Sequence, residues 1–197
     1  MSFDTQLTVL IVEDILSARE TVRNLLRALG FSNFVEAENG EVALKKLLEH
    51  EIGLIISDWN MPFMNGLALL KAVRMHDTYR YVPFILLTSK SEMDDVALAS
   101  DKGVSGYLVK PVTIRSLAET LNKVFEQSKE KEFDSLKADI AALVEAKHFS
   151  DALEALATFE GQYPYYALRV HYERAKVLLA SGELELAETL INTILST

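Results

Sequence analysis

The chain has 197 residues, 49% of them hydrophobic and 25% charged, with a formal net charge of −9 and no cysteine. That apolar fraction excludes wholesale disorder, and the missing thiols exclude a disulfide framework, a thiolate metal site and a cysteine nucleophile. No apolar run nears the roughly 18 residues of a membrane span, Met1-Ser2-Phe3-Asp4 lacks the basic start of a signal peptide, and the acidic balance weighs against phosphate backbones, so a cytoplasmic protein without membrane or nucleic-acid partners is expected.

Leu7-Thr8-Val9-Leu10-Ile11-Val12 reads as a buried strand, and the helix after it carries Val22, Leu25, Leu26 and Leu29 before Gly30 stops it. A short strand around Phe34-Val35 precedes a helix with Val42, Ala43, Leu47 and Leu48. Leu54-Ile55-Ile56, Phe84-Ile85-Leu86-Leu87 and Gly106-Tyr107-Leu108-Val109 read as three further strands, separated by helices of roughly ten residues. Five strand-then-helix units predict an α/β fold: a doubly wound, five-stranded parallel sheet covered on both faces. Function in such sheets gathers at the carboxyl ends of the strands.

Those ends carry complementary chemistry. The first strand runs into Glu13-Asp14, the third into Ser57-Asp58-Trp59-Asn60, the fourth into Thr88-Ser89 and the fifth into Lys110-Pro111. Three carboxylates, a hydroxyl and an ammonium would meet on one edge. Clustered carboxylates repel unless a cation lies among them, and a hard divalent ion such as Mg²⁺ suits oxygen ligands while keeping positions open for water and phosphate. Asp58 can then serve as nucleophile, with Lys110 and Thr88 holding the oxygens of a transferring phosphoryl group. One aspartate after a strand ordinarily forms a turn or caps a helix. Four strand ends with matching chemistry are not explained that way.

The segments Val12-Glu13-Asp14, Ile56-Ser57-Asp58-Trp59-Asn60-Met61-Pro62, Asn65-Gly66, Leu87-Thr88 and Gly106-Tyr107-Leu108-Val109-Lys110-Pro111 together resemble a response-regulator receiver domain. The resemblance, particularly to the single-domain chemotaxis members of that family, covers residues 5 to about 127 and implies a sheet of the flavodoxin-like type. It implies that Asp58 accepts a phosphoryl group from a histidine kinase or phosphotransfer protein. It also implies Mg²⁺ held by Asp14, Asp58 and the main-chain carbonyl of Asn60, with Glu13 acting through water. Thr88 and Tyr107 would form the switch, Thr88 drawn to the phosphoryl oxygen and Tyr107 moving into the space it leaves. The repacked surface would comprise the helix between the fourth and fifth strands, the fifth strand and the helix after it. Lys90 stands where the family tunes phosphoryl lifetime. Trp59 is expected to be partly exposed, and His50, His76, His148 and His171 share no ligand spacing.

Composition changes near residue 130: six of the eight glycines and three of the four prolines lie before it, and the last 67 residues hold 11 alanines and 11 leucines. A receiver over 1–128 and a helical segment over 129–197 follow. The charged stretch from Glu126 continues as helix rather than as a floppy linker, and Phe133, Leu136, Ile140 and Leu143 make one apolar stripe. Ser150 caps a helix from Asp151 to about Glu160, Pro164 opens another that Gly182 closes, and a last one carries Leu186, Ala187, Leu190, Ile191 and Ile194. Leu143 and Leu178, Phe149 and Leu184, Ala152 and Ala187, and Phe159 and Ile194 repeat at a period of 35. The segment resembles tetratricopeptide helix pairs, whose solenoids ordinarily need about three repeats. It is expected to be either part of a longer repeat protein or an apolar edge packed on the receiver or on a second copy. Tyr163, Tyr165, Tyr166 and Tyr172 fill its core or line an interface. The tail holds no nucleophile–base pair, so a protein-binding output, without enzymatic activity, is expected. The other reading is a phosphoryl sink whose tail only forms a homodimer.

Overall fold

The computed structural model describes residues 4–89 and 103–196. Five strands, β1 (Val9–Val12), β2 (Phe34–Ala37), β3 (Leu54–Asp58), β4 (Phe84–Thr88) and β5 (Gly106–Val109), form one sheet in the order β2-β1-β3-β4-β5. All pairings are parallel, so every strand presents its carboxyl end to the same edge. Helices α1 (Leu16–Ala28), α2 (Gly40–Glu49) and α3 (Gly66–Arg74) connect the first four strands, and α4 (Ile114–Glu145) follows β5. The first strand begins at Val9, two residues later than its apolar run, and β2 extends through Ala37. Lys90 and the helix expected between the fourth and fifth strands fall outside the described residues.

Two cores follow from the two-residue period of the strands. Val9, Ile11, Leu54, Ile56, Ile85, Leu87 and Leu108 point to one face and pack with Val22 and Leu26 of α1 and Leu117 and Leu121 of α4. Leu10, Val12, Ile55, Phe84 and Leu86 point to the other and meet Ala43 and Leu47 of α2 and Leu69, Leu70 and Val73 of α3. A strand apolar at every position is thus buried on both sides, as a doubly wound sheet requires. The order β2-β1-β3-β4-β5 is that of a flavodoxin-like fold.

The chain divides into two compact units, Met1–Ser128 and Lys129–Thr197, and the boundary falls inside α4. The second unit is all-helical: the end of α4, α5 (Phe149–Gln162), a 3₁₀ turn (Pro164–Tyr166), α6 (Ala167–Ser181) and α7 (Leu184–Leu195). Phe133, Ile140, Ala152, Leu156, Phe159, Tyr166, Val170 and Val177 form its core. Gly182, at φ 86°, ends α6 in the left-handed conformation that glycine adopts without steric cost. Ser150 is not the cap of α5: the helix starts at Phe149, two residues before the expected Asp151, and His148 at its N-cap makes no side-chain cap bond. The tyrosines divide, since Tyr166 is buried and Tyr163 half-buried in the core while Tyr165 and Tyr172 are exposed. No helix among the described residues is long and apolar enough to cross a membrane.

Candidate phosphoryl-transfer site

Parallel register brings the chemistry together. Val12 pairs with Ser57, Asp58 with Leu87 and Thr88 with Val109, so Glu13, Asp14, Asp58, Thr88 and Lys110 all emerge at one edge of the sheet. The Lys110 N–H donates to the Thr88 carbonyl at 2.7 Å, and the Trp59 N–H donates to the Leu87 carbonyl at 2.9 Å. These bonds carry the ladder one step past the strands and hold Asp58 and Lys110 in place.

Glu13 is fully buried, Asp58 is 7% exposed, and Asp14 is exposed. Carboxylate oxygens of all three lie within 4.8 Å of one another. The Lys110 ammonium bridges two of them, 2.6 Å from Asp58 Oδ1 and 2.8 Å from Glu13 Oε2. Burial pushes the Asp58 carboxyl up from its ordinary range, and Asp14's charge adds to this while Lys110 opposes it. Burial also raises Glu13, with the Asp58 charge adding and Lys110 opposing. Burial works against the Lys110 charge, but the two carboxylates hold its ammonium above the usual lysine range.

Thr88 is fully buried, and its hydroxyl donates to the Ser89 carbonyl at 3.1 Å. Tyr107 lies on β5 opposite Leu86 and is 45% exposed. Asn60 is exposed just beyond β3. Trp59 is 9% exposed, more buried than expected, because it packs into the core beneath α2 and α3. Of the histidines, His171 pairs with Glu160 at 2.8 Å and His148 lies 3.6 Å from Asp151. His76 accepts from the Thr78 N–H.

One ammonium does not neutralise three crowded carboxylates, and every donor here is a hard oxygen. The set fits a divalent cation of the Mg²⁺ type. The class of protein is now defined: a doubly wound sheet whose carboxyl edge offers an acidic cluster, a bridging lysine and a buried hydroxyl. The chain belongs to the response regulator receiver domain family, whose family model matches residues 9–122. It is 40% identical over 119 residues to chemotaxis protein CheY of Pseudomonas aeruginosa, covering 60% of this chain and 96% of that protein. The same identity over 119 residues relates it to chemotaxis protein CheY-3 of Vibrio cholerae, covering 60% of this chain and 92% of that one. Among solved structures, the chemotaxis response regulator CheY4 of Vibrio cholerae matches with a TM-score of 0.56 and 36% identity, covering 61% of this chain and 99% of that one.

The sequence reading missed three residues beside the site. Arg19 and Arg23 of α1 both bind Glu36 of β2, and Arg19 also reaches the Glu13 main chain. The available signal was a lone carboxylate in the strand Phe34-Val35-Glu36-Ala37 and two arginines four residues apart on the preceding helix.

Proposed function

We propose that this chain is a phosphorylation-controlled switch in which Asp58 accepts a phosphoryl group from the phosphohistidine of a histidine kinase or phosphotransfer protein. An Asp58 carboxylate oxygen attacks phosphorus, the new P–O bond forms as the P–N bond breaks, and the imidazole departs. The observation that carries this reading is the Lys110 ammonium held between Glu13 and Asp58 at the carboxyl edge of the sheet. There it favours the ionised nucleophile and is positioned to receive a phosphoryl oxygen. Asp14, Asp58 and the Asn60 main-chain carbonyl would hold Mg²⁺, with Glu13 acting through water, and the bound ion would offset negative charge on the incoming group. The Thr88 hydroxyl turns toward the phosphoryl group, Tyr107 moves inward, and one of two packings of the receiver surface is favoured.

The helical unit is the output, a protein-binding segment of tetratricopeptide type. Ala152 and Ala187, 35 residues apart, are both fully buried, which supports two equivalent close helix crossings. Exposed Leu184, Leu186 and Leu195 of the last helix favour the second reading, self-association of the tail. Sedimentation of the full chain with and without Mg²⁺ and beryllofluoride, alongside capture of partners, separates these two outputs. For the phosphoacceptor, Asp58→Asn is expected to abolish labelling by acetyl phosphate or by a kinase while leaving the far-ultraviolet circular dichroism unchanged. Undiminished labelling of the folded variant would refute the assignment.

A further inference from the structure

The turn that presents Glu13 and Asp14 lacks an ordinary helix cap. Ile15 occupies the N-cap of α1, its side chain accepts no hydrogen bond, and the first turn of the helix carries no acid. Two neighbouring carboxylates that repel each other across the cluster need something else to hold their backbone. The Glu13 peptide is gripped on both sides instead. Its N–H donates to the Ala37 carbonyl at 3.1 Å, and its carbonyl accepts from the Arg19 guanidinium at 2.5 Å. The Arg19 side chain is only 13% exposed, and its Nε donates to Glu36 at 2.9 Å. The other Glu36 oxygen accepts from Arg23 at 2.6 Å. Glu36 and Ala37 are consecutive residues of β2, so this edge strand fixes the Glu13 peptide both by its main chain and through Arg19.

We infer that Arg19 is a positioning residue for the cation site. It sets the orientation of the Glu13–Asp14 peptide, and Glu36 keeps its planar fork aimed. The inference rests on the phosphoacceptor reading of the cluster. Outer partners of this kind commonly change metal affinity by about 10- to 100-fold when removed. The direction of the effect separates positioning from charge. Arg19 is a cation beside a cation site, so if only its charge mattered, removing it would tighten Mg²⁺ binding. Positioning predicts the opposite.

The test is titration of the full chain with Mg²⁺, followed by the fluorescence of Trp59, the single tryptophan, which adjoins Asp58. Asp14→Asn is expected to lose binding. Arg19→Met, which keeps the apolar stem but no donor, is expected to bind about tenfold more weakly. Arg19→Lys keeps the charge but not the two-ended fork, and it should bind several-fold more weakly. Arg23→Met removes the other ion pair on Glu36 and should cost comparable thermal stability with Mg²⁺ affinity within about twofold of wild type. Tighter or unchanged binding in Arg19→Met, or equal losses in the Arg19 and Arg23 variants, overturns the inference. If Arg19→Met does not fold, unchanged affinity in Arg19→Lys overturns it. Should the wild type itself show no Mg²⁺ response, the cation-site reading fails and the inference falls with it. A wild-type response that Asp14→Asn abolishes while Arg19→Met retains it isolates the failure to Arg19.

Discussion

Glu36 sits on the edge strand β2 among Phe34, Val35 and Ala37, where a lone carboxylate would be poorly solvated. Burial opposes its ionisation, but hydrogen bonds from Arg19 and Arg23 outweigh this and hold the carboxyl below its ordinary range. The sign of the pH dependence follows. With the folded pKa below the unfolded value of about 4.3, the stabilisation is complete above that value and is lost as pH falls through the folded pKa. Solvent access keeps its size to about 1 kcal/mol. Glu36→Gln is therefore expected to lower stability by about that amount near neutral pH and by progressively less in acid, read from urea midpoints across pH. A deficit that stays constant into acid would show that the ion pairs are not its source. The strand ends that revealed Asp58 and Lys110 left the partners of Glu36 undetermined, because a charge inside a strand has no partner until the strand's neighbours are known.

At the scale of elements, the start of α3 packs directly against the Asp58 backbone. Asn65 caps this helix by accepting from the Ala68 N–H at 2.8 Å, and the Gly66 N–H donates to the Trp59 carbonyl at 3.0 Å. A Cβ at Gly66 would overlap the Asp58 carbonyl oxygen and lie 2.8 Å from Leu86 Cδ2. Gly66→Ala is expected to destabilise the receiver by about 1–3 kcal/mol and to slow phosphoryl uptake, because the backbone that carries Asp58 must move. Gly161, in the last turn of α5, has nothing within 4 Å of an added Cβ, so Gly161→Ala should be neutral or stabilising by up to about 1 kcal/mol. Thermal melts and acetyl phosphate labelling of the two variants check both halves; a silent Gly66→Ala would contradict the contact. In the helical unit, the charged part of α4 has packing partners. Arg169 binds Glu130 through two bonds of 2.6 and 2.7 Å and lies 4.4 Å above the Phe133 ring, which itself sits 5.3 Å from Tyr166. The period of the stripe identified Phe133 as apolar, but Glu130's partner lies 39 residues away and has no local signature.

For the whole molecule, a ligand that binds only the folded receiver must stabilise it by mass action, about 2.7 kcal/mol at a concentration 100 times its Kd. Mg²⁺ with beryllofluoride, which imitates the acyl phosphate, is expected to raise the melting temperature of the full chain, and chelation should reverse the rise. Asp58→Asn should remove the beryllofluoride increment. A shift of wild-type size in that variant would place the ligand elsewhere. The two compact units, Met1–Ser128 and Lys129–Thr197, also make the number of melting transitions informative about how the bound state is shared along the chain.

The sequence by itself determined the parallel sheet and the ends of its strands. Strands buried on both faces are continuously apolar, and the residue that follows each one must lie at the carboxyl edge. That is enough to place Glu13, Asp14, Asp58, Thr88 and Lys110 at one edge. Tertiary structure alone decided which atoms meet: Lys110 between Glu13 and Asp58, Arg19 on the Glu13 carbonyl, Trp59 folded into the core, and α5 starting at Phe149 without a Ser150 cap. Such contacts depend on register between strands and on the rotation of helices over the sheet. Those quantities are set by packing across the whole core, and no window of the sequence contains them.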